Sequence, residues 1–188
     1  DNDTRIEQKI VLRARLVDLV LGDWDRHEDQ WRWAKQEGNN NKVYTPIPRD
    51  RDKVYYNTSG VFPWVVSHQW LKSNLQGFRT TTSDISGYNF NNRYFDRYFL
   101  TQLGEEDWKE QVAYVQKKLT DSLIQSAIKL MPDTIFSLSG KSLIQTIIAR
   151  RNDIGTPAME YYRFISKNVD IPASDKNEYF EMYDDSTG

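Results

Sequence analysis

Two acidic runs bound the stretch that decides the fold: Leu-Gly-Asp-Trp-Asp-Arg-His-Glu-Asp-Gln-Trp, at residues 21–31, and Pro-Ile-Pro-Arg-Asp-Arg-Asp-Lys-Val-Tyr-Tyr, at residues 46–56. Between them lie two runs of aromatic and β-branched residues, separated by a polar turn at residues 37–41. A turn of this kind predicts a β-hairpin at about 31–47. The hairpin would bring its two acidic flanks to the same end of a two-stranded ribbon.

The acidic flanks admit two interpretations from the residues alone. Each flank carries a pair of carboxylates, Asp23 with Asp25 and Asp50 with Asp52. Like charges at close range raise each other's pKa, and a shared cation such as Mg²⁺, Ca²⁺ or Mn²⁺ removes that penalty. Alternatively, these acids are turn and cap residues, and the nearby arginines are their surface ion-pair partners: Arg26, Arg49 and Arg51.

The run Asp25-Arg26-His27, with an amide side chain at Gln30, resembles the catalytic loop of atypical kinases of the HipA-like, CotH-like (spore-coat) and secretory-pathway groups. In those families Asp-Arg-His-x-x-Asn, or a close variant, is followed after a hairpin by a metal-binding Asp. Gln30 stands where the families have Asn. The CotH-like group writes the later motif as Asp-x-Asp, which here is Asp50-Arg51-Asp52.

The resemblance implies a role for each residue of this stretch. Asp25 would orient or deprotonate an acceptor hydroxyl, and Gln30 would hold metal together with Asp50 or Asp52. The remaining residues would support the loop: Asp23, Arg26 and His27. The cofactor implied is Mg²⁺ or Mn²⁺ with ATP, as phosphoryl transfer requires.

A nucleotide cradle is not visible in the sequence, because no Gly-rich loop and no strand with a phosphate-binding Lys precede the first helix. The resemblance therefore implies a nucleotide-covering lobe before Asp1 in a longer parent protein. We expect no tightly bound metal and no activity from this piece alone. The non-enzymatic alternative is an interaction or scaffold module, a kinase-like lower lobe without catalysis. A metal-dependent hydrolase using the same acids is the third possibility.

The same two acidic runs also look like a domain of large secreted Bacteroidetes proteins that carry a calcineurin-like phosphoesterase elsewhere in the chain. This similarity implies a secreted, periplasmic or outer-membrane-associated location, with the other domains of the parent chain as partners. The chain has 188 residues, a net charge of −2 and no Cys. It has no basic field to bind nucleic acid and no apolar run long enough for a membrane span.

Apolar periodicity predicts a mainly α (α+β) chain, in which residues 1–167 form a helical domain with one small hairpin. The resemblance implies that this domain is like a kinase C-terminal lobe. Its first helix should run from Thr4 to Leu21, capped by Asp3 or Thr4 with Glu7 and ended by Gly22. On this helix we expect Arg13, Arg15 and Asp18 to be rim and ion-pair residues. Further helices are predicted at residues 61–75, 93–103, 105–119, 121–130 and 141–151 and around Pro157, with a long loop at 76–92.

The last segment, residues 168–188, changes pattern. Val169-Asp170-Ile171 and residues 178–183 alternate as strands do. We expect short strands here, the start of a following β domain. His68, in the predicted 61–75 helix, is interpreted as a structural histidine.

Overall fold

The computed structural model describes residues 4–36, 42–57, 76–169, 177 and 179–181. It is mainly helical with one small sheet, which confirms the predicted fold class. The sheet has three strands: β1 (Thr4–Ile6), β2 (Trp31–Gln36) and β3 (Lys42–Pro48). The described helices are α1 (Gln8–Leu21), α2 (Ile85–Tyr88), α3 (Arg93–Leu100), α4 (Glu105–Lys118), α5 (Asp121–Ile128), α6 (Asp133–Ile135), α7 (Lys141–Asp153) and α8 (Gly155–Ile165).

The predicted hairpin is confirmed. Strands β2 and β3 pair antiparallel, with Trp31 opposite Pro48 and Gln36 opposite Val43. Its aromatic residues bind the sheet to α3, because the Trp31 ring stacks on Phe95 with centroids 4.7 Å apart. The two acidic flanks therefore emerge at one end of the hairpin, above the helical core.

Helix α1 lies at the centre of the core, as an apolar helix of this kind should. It packs against α3, α4, α7 and β3. Its most buried apolar side chains are Val11, Leu12, Leu16, Leu19 and Val20. Other apolar side chains on or next to this helix are only partly buried: Ile6, Ile10, Ala14, Val17 and Leu21. The helix ends at Gly22, whose φ of 78° is the left-handed conformation that glycine adopts readily.

The start of the first helix was predicted wrongly. Thr4–Ile6 is a strand that runs parallel to β3, and the helix begins at Gln8 with no side-chain cap from Glu7. The expected rim position of Arg15 and Asp18 is also wrong, since both side chains are almost completely buried. Pairing with β3 and with buried partners overrides the local pattern in both places.

Helices α4 and α5 match their predicted positions within about two residues, and the Thr120 hydroxyl accepts a hydrogen bond from the backbone N–H of Leu123 at the start of α5. The predicted loop at 76–92 contains α2 and a 3₁₀ turn, Phe90–Asn92. In α3 the aromatic residues Tyr94 and Tyr98 are exposed, while Asp96 and Leu100 are buried. Between α6 and α7 the helix takes a π turn, Phe136–Gly140.

Two predicted segments fall outside the described residues. The 61–75 helix with His68 lies entirely outside them, and the predicted C-terminal strands lie mostly outside. Residues 177 and 179–181, which are described, belong to no helix or strand. None of the described helices has the length and apolar character needed to cross a lipid bilayer.

Candidate functional site

The acidic loop after α1 begins with a tight reversal at Gly22. The backbone N–H groups of Gly22 and Asp23 both donate to the carbonyl oxygen of Asp18, each at 2.9 Å. A Cβ added to Gly22 would lie 2.5 Å from the Phe78 ring. The positive φ and this close approach together explain why glycine occupies the turn that leads the chain into Asp23.

Arg26 is the centre of the loop and is only 1% exposed. Its guanidinium donates to both carboxylate oxygens of Asp18, to Asp23 at 2.7 Å and to the side-chain oxygen of Gln30 at 3.1 Å. It also donates to the carbonyl oxygen of Arg49. All three nitrogen atoms of the buried guanidinium therefore donate hydrogen bonds, which offsets the cost of removing the charge from water.

These contacts join the two acidic segments, residues 22–30 and 49–52. Besides the bond from Arg26 to the Arg49 carbonyl, the Arg49 N–H donates to the Gln30 carbonyl at 2.8 Å. Arg51 reaches back to Asp18, with its Nε 3.0 Å from Oδ1. The two segments are distant in the sequence, and hydrogen bonds from arginine side chains and from the backbone hold them side by side.

A second buried network supports the first from below. Arg15 binds Asp96 through Nε, at 2.9 and 3.1 Å, and reaches Asp18 and Asn89 through its two Nη atoms. The hydroxyl of Tyr161 donates to Asp96 at 2.5 Å. Because Asp18 accepts from Arg15 as well as from Arg26, it links the two networks.

Burial shifts the protonation equilibria in these networks. Burial, together with the charge of Asp18, raises the pKa of Asp23 from 3.8 to about 6, although Arg26 opposes the shift. Burial alone would lower the pKa of Arg15, but the carboxylates of Asp96 and Asp18 raise it above its ordinary value. Arg15 is therefore a permanent buried cation, and Asp23 can gain a proton at mildly acidic pH.

The predicted site acids lie above this base, closer to solvent. Asp25 is half-buried and accepts a long hydrogen bond from Asn91 Nδ2, at 3.4 Å. Asp50 and Asp52 are exposed, and Asp50 takes a positive φ of 56°. Lys53 Nζ lies 2.8 Å from the Asp52 carboxylate.

The three acids share one electrostatic environment around Lys53. Its pKa is raised mainly by the hydrogen bond to Asp52, and the charges of Asp25 and Asp50 raise it further. The pKa of Asp52 is lowered by Lys53 first and also by a hydrogen bond involving Asp50. A cation thus already lies next to the predicted metal-binding aspartates.

Two other predicted residues have different surroundings. Gln30 is buried, and its side-chain oxygen accepts from Arg26. His27 is partly exposed, with Nδ1 3.8 Å from the Asp29 carboxylate. Within the described ranges, no group of three or more His, Cys, Asp or Glu side chains is arranged to hold a metal ion.

Sequence reasoning missed the residues that build the base of the site, Asp18, Arg15 and Asp96. A signal for the first two was present, because they are charged residues three positions apart, each with apolar neighbours on both sides in the sequence. Asp96 lies among aromatic residues in α3 and gave a similar signal. Lys53 was overlooked because a lysine beside an acidic motif is an ordinary surface pattern.

The chain was compared with protein-family models, with curated proteins and with solved structures, and it matched none of them.

Proposed function

We propose that this chain is the lower lobe of a kinase-like phosphotransferase, and that it presents one cation- and acceptor-binding face. Asp25 would orient or deprotonate the acceptor hydroxyl. Asp50 and Asp52 would hold Mg²⁺ or Mn²⁺, with Gln30 as a further oxygen donor. The other domains of a longer parent chain, in a secreted or periplasmic setting, would complete the enzyme and supply the nucleotide site.

The observation that carries this function is the clamp made by Arg26. It is buried, and it ties the Asp25 loop to the Arg49 carbonyl directly before Asp50. A buried arginine that makes this many charge-assisted hydrogen bonds fixes the backbone of both segments. Half-buried Asp25 and exposed Asp50 and Asp52 on two fixed segments would be preorganised, which is what positioning a hydroxyl or a cation requires.

The order of elements also supports the proposal. A central buried helix leads into the Asp25 loop, a hairpin follows, and the Asp50-Arg51-Asp52 segment comes next. This is the order that the resemblance to atypical kinases implies. In such a site a bound divalent cation neutralises charge on the nucleotide phosphates, while the protein contributes positioning.

The donor atoms are of the type that a hard cation takes in a weak site, although the described residues include no group of three or more His, Cys, Asp or Glu side chains arranged around a metal position. Asp50 and Asp52 are exposed carboxylates that share one electrostatic environment. Gln30 has a second lone pair beyond the one that accepts from Arg26. Magnesium keeps several waters and takes oxygens from substrate phosphates, so few protein ligands suffice.

Paramagnetic broadening by Mn²⁺ in NMR spectra of the ¹⁵N-labelled chain tests the proposal. We expect amide signals of residues 25, 30, 50 and 52 to broaden before those of any other acidic cluster. The control is the Glu105–Glu106 pair at the start of α4, whose carboxylates lie exposed beside Lys109. Equal broadening at both places would mean unspecific attraction to acids and would contradict the proposal.

A second candidate is a non-catalytic interaction module, and the position of Lys53 favours it. The ammonium group already lies beside Asp52 and feels the charges of Asp25 and Asp50, so it can serve as a built-in substitute for a metal ion. Lys53→Gln discriminates between the two functions. If the module is non-catalytic, selective broadening by Mn²⁺ appears only in the variant; if it is a phosphotransferase lobe, the native chain shows it too.

A further inference from the structure

Three aromatic side chains on the outer side of α3 and the turn before it are exposed to solvent. Phe90, Tyr94 and Tyr98, which we call the aromatic face, are spaced four residues apart and are 50%, 61% and 49% exposed. Side chains at this spacing lie along the same side of a helix. A contiguous exposed aromatic surface is unusual on a protein that has no partner there, because isolated exposed apolar residues are the norm.

Arg93 is held rigidly within this face. Its guanidinium carbon lies 3.5 Å from the centroid of the Phe90 ring and 4.2 Å from that of Tyr94. It donates to the Phe90 carbonyl at 2.6 Å and to the Tyr94 hydroxyl at 3.1 Å. Stacking between two rings fixes the planar group, so a ligand that binds it loses little side-chain entropy.

Among the residues that the structure describes, no carboxylate is paired with Arg93 or Arg97. Arg97 lies one turn further along α3, near the Phe164 ring. Its Nε is buried and has no hydrogen-bond partner among the described residues. Buried donors are normally satisfied. Neither guanidinium group is therefore paired with a carboxylate among the described residues, and the surface that carries them also offers aromatic contact.

We propose that the aromatic face, with Arg93 and Arg97, is a docking surface for an extended acidic peptide segment of a partner protein. Four residues of helix span about 6 Å, which sets the spacing of the two arginines along α3. Alternate side chains of an extended strand are about 7 Å apart and point the same way. Acidic residues at alternate positions would thus reach both arginines, while apolar residues of the segment contact Phe90, Tyr94 and Tyr98.

The chemistry favours a peptide over single-stranded nucleic acid. Nucleic acid carries a charge on every nucleotide and is bound by an extended basic field, whereas this chain has a net charge of −2. Tyrosine and arginine are the residues that dominate protein–protein contacts. Docking here does not depend on phosphoryl transfer and needs neither metal nor nucleotide.

Fluorescence anisotropy with labelled peptides tests the docking surface. The probe has glutamates at alternate positions separated by valine and tyrosine, and the comparison peptide has lysine in place of glutamate. We expect the acidic peptide to bind and the basic one not to bind. Arg93→Gln should weaken binding about tenfold or more, the effect of one charge-assisted hydrogen-bonded pair.

Matched variants separate the docking surface from general effects. Arg32→Gln makes the same charge change at an exposed arginine that binds only backbone carbonyls, and Tyr179→Ser removes a tyrosine that is 86% exposed elsewhere. Both should bind as the native chain does, whereas Tyr94→Ser should bind more weakly.

Three results would overturn the docking surface. One is equal weakening in Arg93→Gln and Arg32→Gln. Another is tighter binding of an oligothymidylate than of the acidic peptide. The third is self-association in sedimentation velocity that Tyr94→Ser abolishes, which would assign the aromatic face to a second copy of the chain. A failed Mn²⁺ experiment at Asp50 and Asp52 would leave this result unaffected, so the two proposals fail separately.

Discussion

At the scale of single residues, buried charge is the feature that distinguishes this protein. Arg26, Arg15 and Asp18 are almost fully removed from water, yet each is paired with several partners. Removing one member of such a pair leaves an uncompensated charge and costs far more than removing an exposed pair. The chain maintains this arrangement directly beneath the Asp25 loop, which is consistent with a loop that must keep its shape.

Asp23 should make stability depend on pH in a defined window. Its folded-state pKa of about 6 lies above the ordinary 3.8, so the folded state holds the proton more tightly. The resulting stabilisation is complete below about pH 4 and is lost as the pH rises through 6, a difference of about 3 kcal/mol at most. Asp23→Asn lacks this dependence. The free energy of unfolding of the variant, relative to that of the native chain, should therefore increase as the pH rises from 4 to 7.

Urea unfolding of both chains across that range measures the effect. Glu28→Gln is the control, since Glu28 is an exposed acid in the same segment. Its stability difference from the native chain should stay constant with pH. A constant difference for Asp23→Asn as well would show that the Asp23 pKa is not raised in the folded protein.

At the scale of elements, the central helix and the hairpin could be read from the sequence, while the first strand could not. The hairpin turn and the apolar run of α1 are local patterns, and Gly22 marked the end of the helix. β1 has three residues, and it exists because β3 offers a parallel partner 38 residues later, at Lys42 for Thr4. Pairing of that kind leaves no local pattern in three residues.

Helix α1 should respond very differently to substitution at two adjacent positions. Leu16 is completely buried, whereas Val17 is only partly buried. Leu16→Ala should lower the free energy of unfolding by about 3 kcal/mol through the cavity it leaves, and Val17→Ala by about 1 kcal/mol or less. Denaturant melts of the two variants compare them directly. Equal losses of unfolding free energy in the two variants would mean that the helix is rotated relative to its orientation in this structure.

At the scale of the whole molecule, the candidate site depends on long-range contacts that the sequence only partly indicates. The positions of Asp25, Asp50 and Asp52 near one end of the hairpin follow from the turn. The buried links could not be predicted, because Asp96 lies 81 residues from Arg15, and Tyr161 lies 65 residues from Asp96. Which acid stays exposed and which is buried is decided by those partners. Asp50 and Asp52 are therefore exposed and Asp25 is half-buried, whereas Asp23 is buried together with Asp18 and Asp96, which lie outside the motif.

The central claim is that the two acidic segments make a single cation-binding face, and Mn²⁺ broadening across the segments tests it most directly. Asp50→Asn/Asp52→Asn removes carboxylates from one segment only, and the readout is the amide signal of Asp25 in the other. We expect Mn²⁺ to broaden this signal in the native chain and to lose most of that effect in the double variant, while Glu28→Gln behaves as the native chain does. Undiminished broadening at Asp25 in the double variant would show that the segments act separately, and it would contradict the account.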